Sequence, residues 1–277
     1  EDAIRRLGLD QPFWVQYWRF VTGLLQGDFG RSFIYNMPVL ELILSRVPAT
    51  LELVLISMLF ATVVGVGLGV YAGYRHDSIA ARTIMALSVL GFSVPTFWVG
   101  LILILTFAVS LGWLPPGGRG ETVTLWGVRW SFLTLNGLSH IVLPALNLAL
   151  FKMAMMIRLA RAGTREIMLT DTVKFARAAG LSEWTILRTH VLKLISIPIV
   201  TVFGLELGST LAFAVVTETI FSWPGLGKLI IDSITTLDRP VMVAYLILTA
   251  FLFVTINFVV DLVFALIDPR VRTRGAA

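Results

Sequence analysis

From Thr83 to Leu114 the chain carries no Asp, Glu, Lys or Arg over 32 residues. A helix rises about 1.5 Å per residue and a bilayer's hydrocarbon core is about 30 Å thick, so about 20 apolar residues cross it. Pro48 to Tyr74 is a second such run, 27 residues with Glu52 as its one charge. Only helices and closed barrels satisfy every backbone N–H and C=O inside lipid, and runs this long belong to helices. The chain is 57% hydrophobic and 14% charged, against about 25% charged in a soluble domain. The expected class is an all-α polytopic membrane protein.

Residues 1–46 hold no spanning segment and read as an extracytoplasmic stretch. Within it, Gln11 to Leu25 sets Phe13, Trp14, Tyr17, Trp18 and Val21 on one side. That suits a helix at the membrane–water boundary, with a core helix as the alternative. The transmembrane domain is expected over 47–267, with spans at about 48–74, 94–113, 138–159, 198–216 and 241–260. Residues 79–93 read as a lead-in helix, and Pro95 as a kink; a helical hairpin is the alternative. Gly65, Gly67 and Gly69 offer a small-residue strip where another helix can approach. Residues 115–138 form a loop holding Trp126 and Trp130, residues 219–240 form one with a Trp-Pro-Gly turn, and 268–277 is a basic tail.

Orientation follows from the Lys and Arg bias of short loops. The 158–193 stretch holds Arg158, Arg161, Arg165, Lys174, Arg177, Arg188 and Lys193, and the tail adds Arg270, Arg272 and Arg274. The loops on the opposite side hold Arg119, Arg129, Lys228 and Arg239. The 160–197 loop and the C-terminus are therefore expected in the cytoplasm and residue 1 outside, which implies a further span ahead of residue 1. The formal net charge of +5 is accounted for by topology and calls for no nucleic-acid partner.

The cytoplasmic stretch has structure of its own. Asp171 is placed to cap a helix. Gly180 suits the left-handed position that ends one. Ser182 can cap a second, with Glu183 in its first turn. Trp184, Leu187, Val191 and Leu194 then recur at spacings of three and four as one apolar stripe. The reading is a short helix, a glycine corner and an amphipathic helix, with a plain solvated loop as the alternative.

This stretch, ARAAGLS from Ala176 to Ser182, resembles the coupling loop of importer-type ABC permeases of the dipeptide, oligopeptide and nickel permease family. GDFGRS (27–32), RVPATLEL (46–53), SVP (93–95), ETIFSWPGLG (218–227) and DPR (268–270) fall in the order that family shows. The broader importer pattern has Glu at Lys174 and Pro at Lys193, so a salt bridge made by that Glu is not carried over. The resemblance implies six spans per subunit, five of them here, in a bacterial or archaeal cytoplasmic membrane. It implies a second homologous permease subunit completing the pore, two cytoplasmic ATPase subunits and an extracytoplasmic substrate-binding protein. Peptides are the implied cargo, with nickel or another small solute as the alternative within the family. ATPase coupling would rest on Asp171, Lys174, Ala176, Arg177, Ala178, Ala179, Gly180, Leu181, Ser182 and Glu183, the small residues admitting close backbone approach. Phe221, Trp223, Pro224, Gly225 and Gly227 would form an outer gate or a docking face for the binding protein, or a rigid turn.

The chain has no G-x-x-x-x-G-K-[ST] loop, so ATP and Mg are expected on partner subunits and no cofactor on this chain. It has no cysteine, hence no disulfide or thiolate chemistry. His76, His140 and His190 lack metal-ligand spacing, which sets aside an intramembrane enzyme built on His140, Glu206 and Glu218. An ion-coupled secondary transporter would call for inverted repeats, and none is visible. Glu52, Asn147, Glu206 and Asn257 are candidates for a polar path through the membrane. Glu52 and Asp261 lie near interfaces, where snorkelling to water is the alternative.

Overall fold

The computed structural model describes residues 11–267, so the DPR motif and the basic tail lie outside the described residues. A short helix α1 (Phe13–Leu25) precedes a long α2 (Val39–Tyr74). Then come α3 (Ile79–Ser93) and α4 (Thr96–Leu103), the latter continuing into a π-helical stretch over Ile104–Ser110. A hairpin, β1 (Val123–Leu125) and β2 (Val128–Trp130), leads to α5 (Leu135–Met168). The short α6 (Asp171–Ala178) and α7 (Glu183–Ile186) follow, then a π turn (Leu187–Val191) and α8 (Leu192–Ile220). The chain closes with α9 (Leu226–Thr235) and α10 (Arg239–Ile267). Among the described residues four helical segments are long and apolar enough to cross a membrane, and the broken α3–α4 pair raises that to five.

The spans run longer than hydropathy predicts. α2 begins at Val39 and carries Pro48 inside it. Val39, Leu42 and Ile43 are buried against Leu226, Leu229, Val241 and Ala244. That packing outweighs the backbone bond a proline removes. α5 likewise continues past its apolar section to Met168, because Ala160 and Thr164 pack on α2. Pro95 does more than kink a span: α3 and α4 meet at 108°. Val94 is extended, as the residue before proline prefers.

α2 and α5 form the central pair, lying in close contact through glycines. A Cβ added at Gly65 would stand 2.7 Å from the Met156 Cβ, at Gly69 2.6 Å from the Ile157 carbonyl, and at Gly73 2.7 Å from the Thr164 Cβ. These positions recur every four residues, which is one face of a helix. Gly67, expected in the strip, faces open space instead, since a two-residue step turns the helix to its other side. Leu53 and Met58 of α2, Leu148 and Met156 of α5, and Ile195 and Ile199 of α8 build the main core around this contact.

The hairpin in the 115–138 loop is a feature the hydropathy reading omitted. Trp126 and Gly127 both have positive φ, 52° and 77°, which matches the type I′ turn that joins two-residue hairpins. Buried Asp238 accepts hydrogen bonds from the Ser32 hydroxyl and the Phe33 and Ile34 amides, tying the stretch after α1 to the α9–α10 corner. α1 itself buries no residue, and Phe13, Trp14, Tyr17 and Trp18 are exposed.

Gly69→Val is expected to destabilise the protein by about 1–3 kcal/mol through overpacking. Gly67→Ala should be neutral or slightly stabilising, as helix propensity favours alanine. Thermal unfolding of both variants in detergent checks this; equal behaviour would contradict the contact geometry.

Candidate functional site

The stretch from Thr170 to Val191 folds as a helix–corner–helix lever at one end of the bundle. Thr170, in extended conformation, is the residue before α6, and Asp171 is its first helical residue. The expected Asp171 cap is thus displaced by one position. Its carboxylate instead takes the Lys174 ammonium at 2.8 Å on the exposed surface. At the far end of α6, Gly180 has φ +81°. The Gly180 amide donates to the Arg177 carbonyl and the Leu181 amide to the Ala176 carbonyl, at 3.0 and 3.1 Å. That pairing is the Schellman termination, which needs a left-handed residue at this point. The Ser182 hydroxyl accepts from the Thr185 amide and caps α7, as its position predicts.

Two further contacts make the corner rigid. Arg177 donates to both Glu183 oxygens, at 2.7 and 3.2 Å, bridging α6 to α7 across the glycine. The hydrogen bond to Glu183 holds the Arg177 guanidinium above its ordinary pKa. Val173, Ala176 and Ile186 are buried and pack on Ile167 and Met168 at the end of α5. Ala176 is therefore small because it faces inward, and the expectation that it admits a partner's backbone is corrected. Ala178, Ala179, Gly180, Leu181 and Ser182 do face outward.

The apolar stripe is also shifted. Trp184 and Leu194 are exposed, while Ile186, Val191 and Ile195 are buried. The π turn at Leu187–Val191 inserts an extra residue into the helical count, so a uniform 3.6 period misassigns the face. Phe175 was missed as a site residue although it is 77% exposed, as Trp184 is at 70%. The signal was present: Val173 and Ala176 define the buried side of α6, which puts Phe175 outside.

Glu52, Asn147 and Glu206 each have a partner elsewhere in the chain. Glu52 does not snorkel: it is 2% exposed. One oxygen takes Arg119 at 2.7 Å. The other accepts from the Ser131 amide and hydroxyl and the Phe132 amide, each at 2.8 Å. It clamps the hairpin loop onto α2 and is removed from the path candidates. Glu206 pairs with Lys152 across α5 and α8, and the Lys152 ammonium also reaches the Ser209 hydroxyl at 2.8 Å. Phe151 and Phe213 flank the ammonium with ring centroids at 5.5 and 5.2 Å. Asn147 is buried and donates to the Thr217 hydroxyl at 3.0 Å, leaving its carbonyl oxygen without a partner among the described residues. Asn257 donates to the Phe253 carbonyl of its own helix. The Asp261 side chain lies outside the described residues.

The turn after α8 is a buried knot at the end opposite the lever. Phe221 and Trp223 are 0% exposed, and Gly225 and Gly227 are buried. None of these four forms a surface for docking, which corrects that expectation; Pro224 alone is half-buried. The Trp223 indole donates to the Ala49 carbonyl at 2.8 Å. Glu218, fully buried, accepts from the Thr50 hydroxyl and the Gly227 and Lys228 amides at 2.6, 2.6 and 3.0 Å, so it caps α9. A Cβ at Gly225 would stand 2.2 Å from a Glu218 oxygen, which is why glycine is needed there. Among the described residues no group of three His, Cys, Asp or Glu is placed to hold a metal.

Lys152→Met leaves the Glu206 carboxylate without its cation. Breaking a buried pair from one side costs about 3–5 kcal/mol, reduced here because Glu206 keeps 22% of its side chain exposed. The double variant Lys152→Met with Glu206→Leu should recover most of the loss. A double-mutant cycle by thermal unfolding reads this out, and additive losses would contradict a functional pair.

The chain is similar to known proteins. The family model for binding-protein-dependent transport system inner membrane components matches residues 65–273. The di/tripeptide transport system permease protein DppB of Pseudomonas aeruginosa is 41% identical, over 98% of this chain and 84% of its own length. The dipeptide transport system permease protein DppB of Escherichia coli K12 is 36% identical over 97% and 84%, and the oligopeptide transport system permease protein AppB of Bacillus subtilis is 38% identical over 98% and 84%. Among solved structures, the inward-facing MetNI methionine ABC transporter superposes with a TM-score of 0.63 at 20% identity, over 82% of this chain and 96% of that one, a likeness of fold. With long apolar helices, a helical lever at one end and a family match over most of its length, the chain belongs to the binding-protein-dependent transport system inner membrane components, the permease subunits of ABC importers, and is a multi-pass inner-membrane protein.

Proposed function

We propose that this chain is one of two homologous permease subunits forming the pore of an ATP-driven importer for di- or oligopeptides. The peptide class is supported by the similarity to the DppB and AppB permeases, which span nearly the whole chain. The observation that carries the mechanism is the lever. Its Phe175, Leu181 and Trp184 are exposed apolar side chains on a polar helix pair, which supports a surface that another protein covers. The Arg177–Glu183 bridge and the Schellman corner hold that face in one shape, so a push on it moves α5 and α8 as a unit.

In this reading the lever and the C-terminus lie in the cytoplasm, where the lever seats in a groove on one of two ATPase subunits. ATP and Mg2+ belong to those subunits and this chain binds no cofactor. A partner biases an equilibrium only through its differential affinity for the two states; moving a pore from 1:99 to 99:1 takes about 5.5 kcal/mol, which closure of an ATP-bound ATPase dimer can supply. A substrate-binding protein delivers the peptide at the opposite face.

The test is a tagged pull-down from native membranes in mild detergent, with mass identification and an ATPase assay. A second permease, P-loop ATPases and ATPase activity are expected. Recovery of this chain alone, even after cross-linking from a cysteine at Ala178, would overturn the reading. In the recovered complex, Gly180→Trp should abolish ATP-dependent uptake, since it both blocks the face and forces a side chain into a left-handed position that costs about 1–2 kcal/mol. Normal uptake by that variant would remove the coupling role.

A further inference from the structure

The end of the bundle opposite the lever holds a cleft of about 550 Å³ between the start of α2, the hairpin loop and the turn after α8. Tyr35, Glu41, Arg46, Arg119, Arg129 and Pro224 line it. Three arginines thus line one small space, and their partners differ. Arg119 is balanced by Glu52 at 2.7 Å and also donates to the Arg129 carbonyl at 2.6 Å. Arg46 and Arg129 have no carboxylate within ion-pair distance among the described residues, Glu41 included. Among the described residues the Arg46 Nη1 meets the Pro224 carbonyl alone, at 3.5 Å, and its buried Nε has no acceptor. The nearby Lys228–Asp232 pair is closed on itself at 2.9 Å.

A half-buried guanidinium with an unused N–H is costly unless an acceptor arrives. Arg presents its N–H groups as a planar fork that matches a carboxylate. The cleft also has the volume of a small-molecule site, about 300–1,000 Å³, rather than the flat extent of a protein docking face. Glu41 at its rim adds an acceptor for a cationic group. We propose that this cleft is a carboxylate-binding subsite at the entrance side of the pore, in which Arg46 and Arg129 hold the terminal carboxylate of the incoming peptide. The cargo assignment rests on the peptide reading above.

The experiment uses the assembled transporter in lipid nanodiscs, without the binding protein, and measures equilibrium binding of trialanine and of trialanine amide by saturation-transfer NMR. Trialanine is expected to bind about tenfold or more tightly than the amide, the span of one charge-assisted hydrogen bond. Arg129→Gln should remove that difference by weakening the acid alone, and Arg129→Lys should keep part of it. Arg129 is exposed, so these variants leave the fold intact; Arg46→Gln should act in the same direction with thermal unfolding followed alongside. Equal binding of acid and amide, or a difference that Arg129→Gln and Arg46→Gln leave unchanged, overturns the subsite. An equal loss for both peptides, joined to weaker capture of the purified binding protein, overturns it in favour of a protein-docking role. ATP-dependent trialanine uptake by the wild-type complex, with its binding protein restored, tests the peptide reading separately. Uptake without carboxylate-dependent binding overturns the cleft alone. Carboxylate-dependent binding without uptake overturns the peptide reading and leaves the anion site.

Discussion

The close approach of α2 and α5 is the contact on which the rest of the bundle hangs. Lipid tails are as apolar as leucine, so burying leucine gains little inside a membrane, and helices associate where backbones can come near and pack. Gly65, Gly69 and Gly73 permit that along about two and a half turns. α8 then fills the groove the pair creates, with Ile195 and Ile199 in the same core as Leu53 and Met58. α10 sits at the edge, with Leu246, Phe251 and Phe258 exposed.

Buried charge does a different task from packing: it fixes which loops close the bundle at the end away from the lever. Glu52 holds the hairpin loop through Arg119, Ser131 and Phe132. Glu218 holds the turn into α9, and Asp238 holds the stretch after α1. Each carboxylate is buried and accepts hydrogen bonds from backbone amides, which offset the cost of taking it out of water. The three clamps join segments distant in the chain, so that end is tied together by directional bonds. The lever end depends instead on one ion pair across its corner, Arg177–Glu183, on the glycine turn and on a small apolar patch.

Much of this was legible in the residues. The glycine at 180 and serine at 182 announced the lever because caps and left-handed positions are local properties of a few residues. The Glu218–Gly227 motif was visible as a family pattern, yet its role read differently. Phe221 and Trp223 looked like a gate when judged from loop position, and the fold buries both. Glu52 looked like a snorkelling residue from its place near a span's end, and it is instead the acceptor for a loop 67 residues away at Arg119. In both cases the deciding partner is remote in sequence.

The sequence by itself determined the class, the approximate spans, the basic bias of the lever loop and the helix–corner–helix form of the lever. These follow from run length, charge placement and capping, each of which acts within a few residues or sums along the chain. Only the tertiary structure decided that α2 extends back to Val39, that Gly73 and not Gly67 meets α5, and that Lys152 finds Glu206. It also decided that Arg46 and Arg129 line one cleft, with no carboxylate in ion-pair range of either among the described residues. The physical reason is that helix faces, ion pairs and clefts are set by which helices become neighbours, and that choice depends on packing across the whole bundle.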